Sequence, residues 1–108
     1  MCYSTTVILV RKLIWDVWNI AHVARHHVDP DEVEAVCHGM PIILRSKQKR
    51  RLILIGLTAE ERMLAVVLEA KGGGRYYTIT AYDANADDSA LYYRLRGGEN
   101  NDKNEKSE

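Results

Sequence analysis

The sequence is poor in the residues that build disulfide frameworks and metal clusters. It has two cysteines, Cys2 and Cys37, and they match no metal-binding or redox spacing, so we expect reduced thiols. The longest apolar run is far shorter than the roughly 20 residues that cross a bilayer. The N-terminus lacks the charged lead, apolar stretch and small-residue cleavage site that a signal peptide combines. These absences predict a cytoplasmic protein that does not enter a membrane.

The sequence also lacks an excess of charge of either sign, because 15 basic residues balance 15 acidic ones among its 108 residues. Residues 97–108 hold four acids and two bases, which leaves 13 bases and 11 acids before them. This mildly basic body does not by itself indicate nucleic-acid binding. Hydrophobic residues make up 46% of the chain, enough for one folded domain over 1–96. The polar end, 97–108, is predicted to be a disordered tail.

Helix caps, turn residues and apolar periodicity predict an α+β domain with two N-terminal helices and one C-terminal helix. The helices are expected to pack together on one face of the sheet. Links as short as those between the later strands join only antiparallel neighbours, so we expect an antiparallel meander. The predicted elements, in chain order, are a broken strand within 7–15, helices over about 17–27 and 30–38, strands over 42–44, 51–57, 63–70 and 75–82, and a helix that begins after Asn85 and ends at Gly97-Gly98.

The first predicted helix is amphipathic. Its apolar face, expected to pack on the core, comprises Val17, Ile20, Ala21, Ala24 and Val28. The polar stripe on the other side comprises Asn19, His22, Arg25 and His26. His22 and His26 are four residues apart, so both rings can face one ligand. The stripe is either a solvated face or a site for acid–base work on an anion. Zinc is disfavoured, because the pattern lacks a third ligand and the glutamate of His-Glu-x-x-His.

Two further clusters allow more than one interpretation. The basic run Arg45, Lys47, Lys49, Arg50 and Arg51 is either a phosphate-contacting edge or a solvated hairpin loop. Five tyrosines crowd the last third of the chain, and they either pack the core or stack bases and transfer protons. Strand alternation predicts that Tyr76 and Tyr82 share one face, with Tyr77 on the other. Gly72-Gly73-Gly74 is predicted to be a hairpin turn.

Taken in order, the motifs resemble those of the BrnT-type toxins of type II toxin–antitoxin systems, over about residues 13–94. The matching segments are Trp15-Asp16, Asn19, Arg25-His26, Val28, Glu32–Val36, Arg51–Gly56 with Thr58, Leu64–Val67, Thr78-Ile79-Thr80-Ala81 and Tyr92-Tyr93. The resemblance implies a RelE-like fold, a bacterial or archaeal origin, and a metal- and cofactor-independent RNA endonuclease. It also implies neutralisation by a small DNA-binding antitoxin protein.

The resemblance suggests roles for five residues. Arg25 and Arg51 would grip the RNA phosphate, His26 would carry the proton, and His22 and Tyr82 would assist. Two positions that hold arginine in the family are Leu57 and Tyr82 here, and an arginine-rich helix start is Asp87-Asp88-Ser89. A second hypothesis is therefore a catalytically weakened, toxin-like module that binds protein or nucleic acid. A third is a homo-oligomer of unknown role.

Overall fold

A computed structural model describes residues 10–48 and 50–96. The domain is α+β, with three helices and a five-stranded mixed sheet. The elements are β1 Lys12–Ile14, α1 Val17–Ala24, α2 Pro30–His38, β2 Ile42–Arg45, β3 Arg51–Leu57, β4 Met63–Gly72, β5 Arg75–Asp83 and α3 Ala86–Arg96. The predicted strand positions 7–9 and the tail 97–108 lie outside the described residues.

The sheet has the strand order β1-β5-β4-β3-β2. Strands β2 to β5 form the predicted antiparallel meander, and β4 and β5 are joined through glycines at positive φ, Gly72, Gly73 and Gly74. The prediction of a purely antiparallel sheet is wrong, since β1 pairs in parallel with the start of β5. The carbonyl of Gly74 accepts hydrogen bonds from the backbone amides of Arg11 and Lys12 at 2.8 and 3.2 Å. Two helices and three strands separate β1 from β5 in the chain, and a connection that long allows either strand direction.

The helices lie on both faces of the sheet, so the prediction that they group on one face is also wrong. Side chains alternate along β3, and Leu54 joins the core beneath α1 and α2, whereas Ile55 joins a second core beneath α3. Helix α3 contributes Leu91 and Tyr92 to that second core. A sheet whose two faces are both apolar needs a cover on each, and α3 supplies the second one.

Helix α1 ends three residues before the predicted boundary. His27 has a φ of 62°, a left-handed conformation that no helix continues through. The amide of Val28 donates to the carbonyl of Val23 at 3.1 Å, and the amide of His27 donates to that of Ala24 at 2.9 Å. This pair of bonds is a Schellman ending, with Val23 and Val28 both buried beside it. Arg25 and His26 therefore lie in the turn after the helix.

The buried side of α1 differs from the predicted apolar face. Asn19 and Val23 are the residues that α1 buries, whereas Val17 is 73% exposed and Ile20 is 41% exposed. The Asn19 amide donates to the carbonyl of Ile14 at 2.8 Å, and its oxygen accepts from the amide of Asp16 at 2.8 Å. Because these bonds satisfy the side chain, a polar residue can occupy the buried position.

We expect Asn19→Leu to lower the free energy of unfolding by about 2–3 kcal/mol. Leucine has a similar volume but leaves the backbone groups of Ile14 and Asp16 without their partner. Val17→Ala, at an exposed position of the same helix, should change stability by less than about 0.5 kcal/mol. Urea denaturation checks both values, and equal stability of the two variants would show that Asn19 does not secure the strand–helix junction.

Cys37 belongs to the main core and is 7% exposed. Burial raises the pKa of its thiol to about 12, and the negative charge of Glu34 adds to this effect. The thiol therefore stays protonated and unreactive in the folded protein. Cys2 lies outside the described residues.

Within the described ranges, no helix is long and apolar enough to cross a membrane.

Candidate functional site

The position of Tyr82 depends on an irregularity in β5. Val67 of β4 pairs with Thr80 but the next residue, Leu68, pairs with Thr78, so one residue of β5, Ile79, is extra. Such a bulge reverses the alternation of side chains along the strand. Tyr76 consequently packs on the core beneath α1 and α2, and Tyr82 packs on the core beneath α3. The prediction that these two tyrosines share a face is wrong for this reason.

Tyr82 lies on the part of β5 that extends beyond β1, and it meets the turn after α1. The ring centroids of His26 and Tyr82 are 6.1 Å apart in an edge-to-face arrangement. The rings of His22 and His26 are 5.8 Å apart and tilted by 51°. Both histidines are exposed and Tyr82 is half-buried. These three side chains form one group, the histidine–tyrosine cluster, which brings together two imidazole rings and one phenol.

Arg62, which the sequence analysis did not select, ties this region together. It stands just before β4, and its guanidinium donates to the backbone carbonyls of His26 and His27 at 3.3 and 2.7 Å. It also pairs with Glu32 of α2 at 3.0 Å and with Asp83 of β5 at 2.7 Å. One side chain thus joins the turn that carries His26 to the strand end that carries Tyr82. Its role is to hold these two segments together.

The same contacts set the charge next to the cluster. The hydrogen bond from Arg62 lowers the pKa of the Asp83 carboxyl, and the nearby charges of Arg62, His27 and His26 act in the same direction. The bond to Asp83 raises the pKa of Arg62 in turn. A fixed ion pair therefore neutralises Asp83, and the histidines do not face an unpaired carboxylate there.

The two candidate arginines differ in their position relative to the cluster, since Arg25 adjoins His26 in the chain and Arg51 is distant. Arg25 is exposed in the turn after α1, one residue before His26, and consecutive helical positions point about 100° apart. Arg51 begins β3, four residues before Ile55, which shares a row across the sheet with Tyr82. Strand spacings put Arg51 roughly 17 Å from Tyr82 on the same sheet face. The exposed basic residues Arg45, Lys47 and Arg50 lie near Arg51, and Lys49 is outside the described residues.

Metal ligands are not grouped in the part of the chain that the structure describes. No set of three or more histidine, cysteine, aspartate or glutamate side chains there could hold a metal ion. Glu34, a potential ligand, instead accepts hydrogen bonds from Trp15 at 3.0 Å and from His38 at 2.9 Å. Asp16 caps α1 and accepts from the Tyr77 hydroxyl at 3.1 Å. Each of these carboxylates thus has a structural partner.

The helix and strand arrangement of this domain is similar to that of a solved ribonuclease toxin. One solved structure that is similar to this chain is the crystal structure, at 1.1 Å resolution, of the Brucella abortus ribonuclease toxin BrnT. The two chains are 23% identical and superpose with a TM-score of 0.56, over 68% of this chain and 96% of BrnT. No protein-family model and no curated protein matches the sequence. At this identity the likeness shows the fold, and the predicted BrnT-like fold is confirmed.

Proposed function

We propose that the chain is the toxin subunit of a type II toxin–antitoxin pair and acts as a metal-independent RNA endonuclease. The observation that supports this most is the contact between His26 and Tyr82, 6.1 Å apart, on the fold of a ribonuclease toxin. The two side chains come from segments that are distant in the sequence, and both can move protons. His22 and His26 are exposed, so a single-stranded RNA can reach them.

The proposed reaction uses the ribose 2′-hydroxyl as its nucleophile. A neutral His26 accepts the proton of the 2′-hydroxyl while the oxygen forms a bond to the adjacent phosphorus. The bond from phosphorus to the 5′-oxygen breaks, and that oxygen takes a proton from His22 or Tyr82. The products are a 2′,3′-cyclic phosphate and a 5′-hydroxyl, with protons and charge balanced. No metal ion or cofactor enters these steps.

Cations would bind the phosphates on either side of the reacting one. Arg25 adjoins His26 in the chain and is exposed, so its flexible side chain can reach a phosphate held at the cluster. Arg51, roughly 17 Å from Tyr82 by strand spacing, suits a more distant phosphate of the same strand. Arg45, Lys47 and Arg50 extend that basic edge. Arg25 and Arg51 thus act on different nucleotides in this proposal.

The proposed partner is a small DNA-binding antitoxin protein. The similarity to the BrnT structure supports a toxin-like fold. A toxin of a type II pair is accompanied by an antitoxin protein that neutralises it. An adjoining reading frame that encodes a short protein with a DNA-binding fold would agree with this proposal. A gene neighbourhood without such a frame would remove most of the support for the pairing.

Expression in bacterial cells tests the toxin proposal. We expect the wild-type chain to arrest growth and shorten cellular mRNA, and His26→Ala to allow growth at the same protein level. His38→Ala is the matched control, because His38 is an exposed histidine on α2 that pairs with Glu34. It should remain as toxic as the wild type. Unimpaired growth with intact RNA at high expression of the wild-type chain would contradict the proposal.

The second candidate is a toxin-like binding module that does not cleave RNA. The absence of a cation at Leu57 and Tyr82, together with the distance of Arg51 from the cluster, favours this alternative. A phosphoryl-transfer site without fixed cations loses charge stabilisation of the transition state. Such a module would bind its partner or RNA through the same surface and leave the RNA intact.

A further inference from the structure

Helix α1 exposes its apolar side to solvent. Val17 is 73% exposed, Trp18 78% and Ile20 41%, and Ala21 and Ala24 are exposed as well. We call the surface formed by Val17, Ile20, Ala21 and Ala24 the α1 stripe, and Trp18 lies on its flank. Among the residues that the structure describes, none covers it. Monomeric proteins rarely leave a contiguous apolar helix face open, and such a face indicates contact with another protein.

The α1 stripe is complementary in side-chain size to a second copy of itself that runs in the opposite direction. The larger side chains, Val17 and Ile20, stand in its first half, and the small ones, Ala21 and Ala24, stand in its second half. If a second copy lies antiparallel, with a two-fold axis between positions 20 and 21, Val17 faces Ala24 and Ile20 faces Ala21. Large side chains then fill the space above small ones on both sides of the axis.

The flank of the α1 stripe carries an aromatic ring, Trp18, and a cation, Arg25. Trp18 and Arg25 are seven positions apart, so they lie on the same flank of a helix. Arg25 keeps helical backbone angles, with φ of −65° and ψ of −24°. In this antiparallel pair, the backbone of Arg25 in each copy lies two residues, or about 3 Å along the helix axis, from the level of Trp18 in the other, an offset that the long arginine side chain can span. This geometry suits two symmetric cation–π contacts, which form between arginine and tryptophan more readily than other pairs.

We propose that the α1 stripe is a self-association surface through which two copies of the chain form a two-fold symmetric dimer. Helix α1 has eight residues, so the contact is small compared with the roughly 1,600 Å² of a standard interface. We therefore expect a weak dimer, with a dissociation constant on the order of 100 μM. This inference goes beyond the proposed RNA cleavage and does not depend on it. Arg25 would bind either a second copy or RNA, so the two would compete.

Sedimentation velocity over a concentration series tests the dimer. We expect the weight-average sedimentation coefficient to rise from that of a monomer toward that of a dimer as the concentration approaches about 1 mM. Ala21→Glu puts a charge next to the two-fold axis and should keep the chain monomeric. Ala90→Glu is the matched control, because Ala90 is an exposed alanine on α3, and it should dimerise like the wild type. A wild-type chain that stays monomeric throughout would overturn the proposal.

A cross-link identifies the surface independently of stability. In a Cys2→Ser background, Ala21→Cys should form an intermolecular disulfide on mild oxidation, whereas Ala90→Cys should form little. Cys37 does not interfere, since burial raises the pKa of its thiol to about 12. Equal cross-linking of the two variants, or a dimer that Ala21→Glu leaves intact, would show that the chain does not associate through α1.

Discussion

Tyr82→Arg is expected to raise the rate of RNA cleavage by about tenfold or more, if the new cation stabilises the transition state by at least about 1.4 kcal/mol. The resemblance to the BrnT-type toxins implies an arginine at this position. Here the side chain at this position meets the His26 ring at 6.1 Å, so a guanidinium could reach a phosphate that His26 acts on. The initial rate of cleavage of a single-stranded RNA measures the effect.

Two further variants make this result interpretable. Tyr93→Arg adds the same charge at a tyrosine of α3 that is 51% exposed, and it should leave the cleavage rate nearly unchanged. Tyr82→Phe keeps the ring and removes the hydroxyl, so a lower rate would assign a proton-transfer role to that group. If neither the wild type nor Tyr82→Arg cleaves RNA, and circular dichroism shows both folded, the chain is the non-catalytic binding module.

Arg62→Ala is expected to lower the free energy of unfolding by about 2 kcal/mol and the melting temperature by about 10 °C. The change removes two ion pairs and both bonds to the carbonyls of His26 and His27, and it leaves Glu32 and Asp83 without their cation. Because part of this network is exposed, the ion pairs contribute less than buried ones would. The variant should also cleave RNA more slowly, since the turn that carries His26 loses its attachment to β5.

Arg75→Ala is the control for this prediction. Arg75 is an exposed arginine with one bond, at 3.3 Å, to the carbonyl of Gly72, and its loss should cost less than about 0.5 kcal/mol. Thermal unfolding followed by circular dichroism compares the two. Equal melting temperatures for Arg62→Ala and Arg75→Ala would show that Arg62 does not hold the turn.

The Arg62 network should also depend on pH. Arg62 lowers the pKa of Asp83 in the folded protein below its ordinary value of 3.8. A carboxylate with a lowered pKa stabilises the fold above that ordinary value, and this contribution disappears as the pH falls through the lower, folded pKa. In acid titrations monitored by circular dichroism, Asp83→Asn should therefore lose stability less steeply below about pH 4 than the wild type.

Local signals in the sequence were sufficient for most of the elements. Helix α2 spans Pro30–His38 as predicted, because Asp29-Pro30 marks its start and the Glu32 carboxylate accepts from the amide of Asp29 at 3.0 Å. Strand β3 also has its predicted bounds, since its apolar run lies between charged and turn residues. Elements defined by nearby residues can be predicted in this way, and here they establish the antiparallel centre of the sheet.

Features that depend on distant contacts could not be predicted from the sequence. The side of α1 that faces the core is set by Asn19, whose bonds to Ile14 and Asp16 outweigh the apolar pattern of Val17 and Ile20. Strand β1 pairs in parallel with the first residues of β5, which are far away in the chain, and no residue near β1 indicates this partner. The bulge at Ile79 leaves no periodic signal, and yet it decides which face Tyr82 occupies.

Only the part of the candidate site that depends on residues close in the sequence could be predicted. The spacing of His22 and His26 indicates that their rings are neighbours, and the structure places them 5.8 Å apart. Their contact with Tyr82 depends on the bulge and on the turn after α1. Arg62 gave no signal, because its partners Glu32 and Asp83 are 30 and 21 residues away. The roles assigned to Arg25 and Arg51 remain predictions.

The rate of RNA cleavage by the purified chain in EDTA, compared with that of His26→Ala, tests the central proposal most directly. We expect the wild type to cleave single-stranded RNA without added metal and to leave 2′,3′-cyclic phosphate ends. His26→Ala should be about tenfold slower or more, and His38→Ala should match the wild type. Loss of cleavage in EDTA, or equal rates for the wild type and His26→Ala, would contradict a metal-independent ribonuclease built around the histidine–tyrosine cluster.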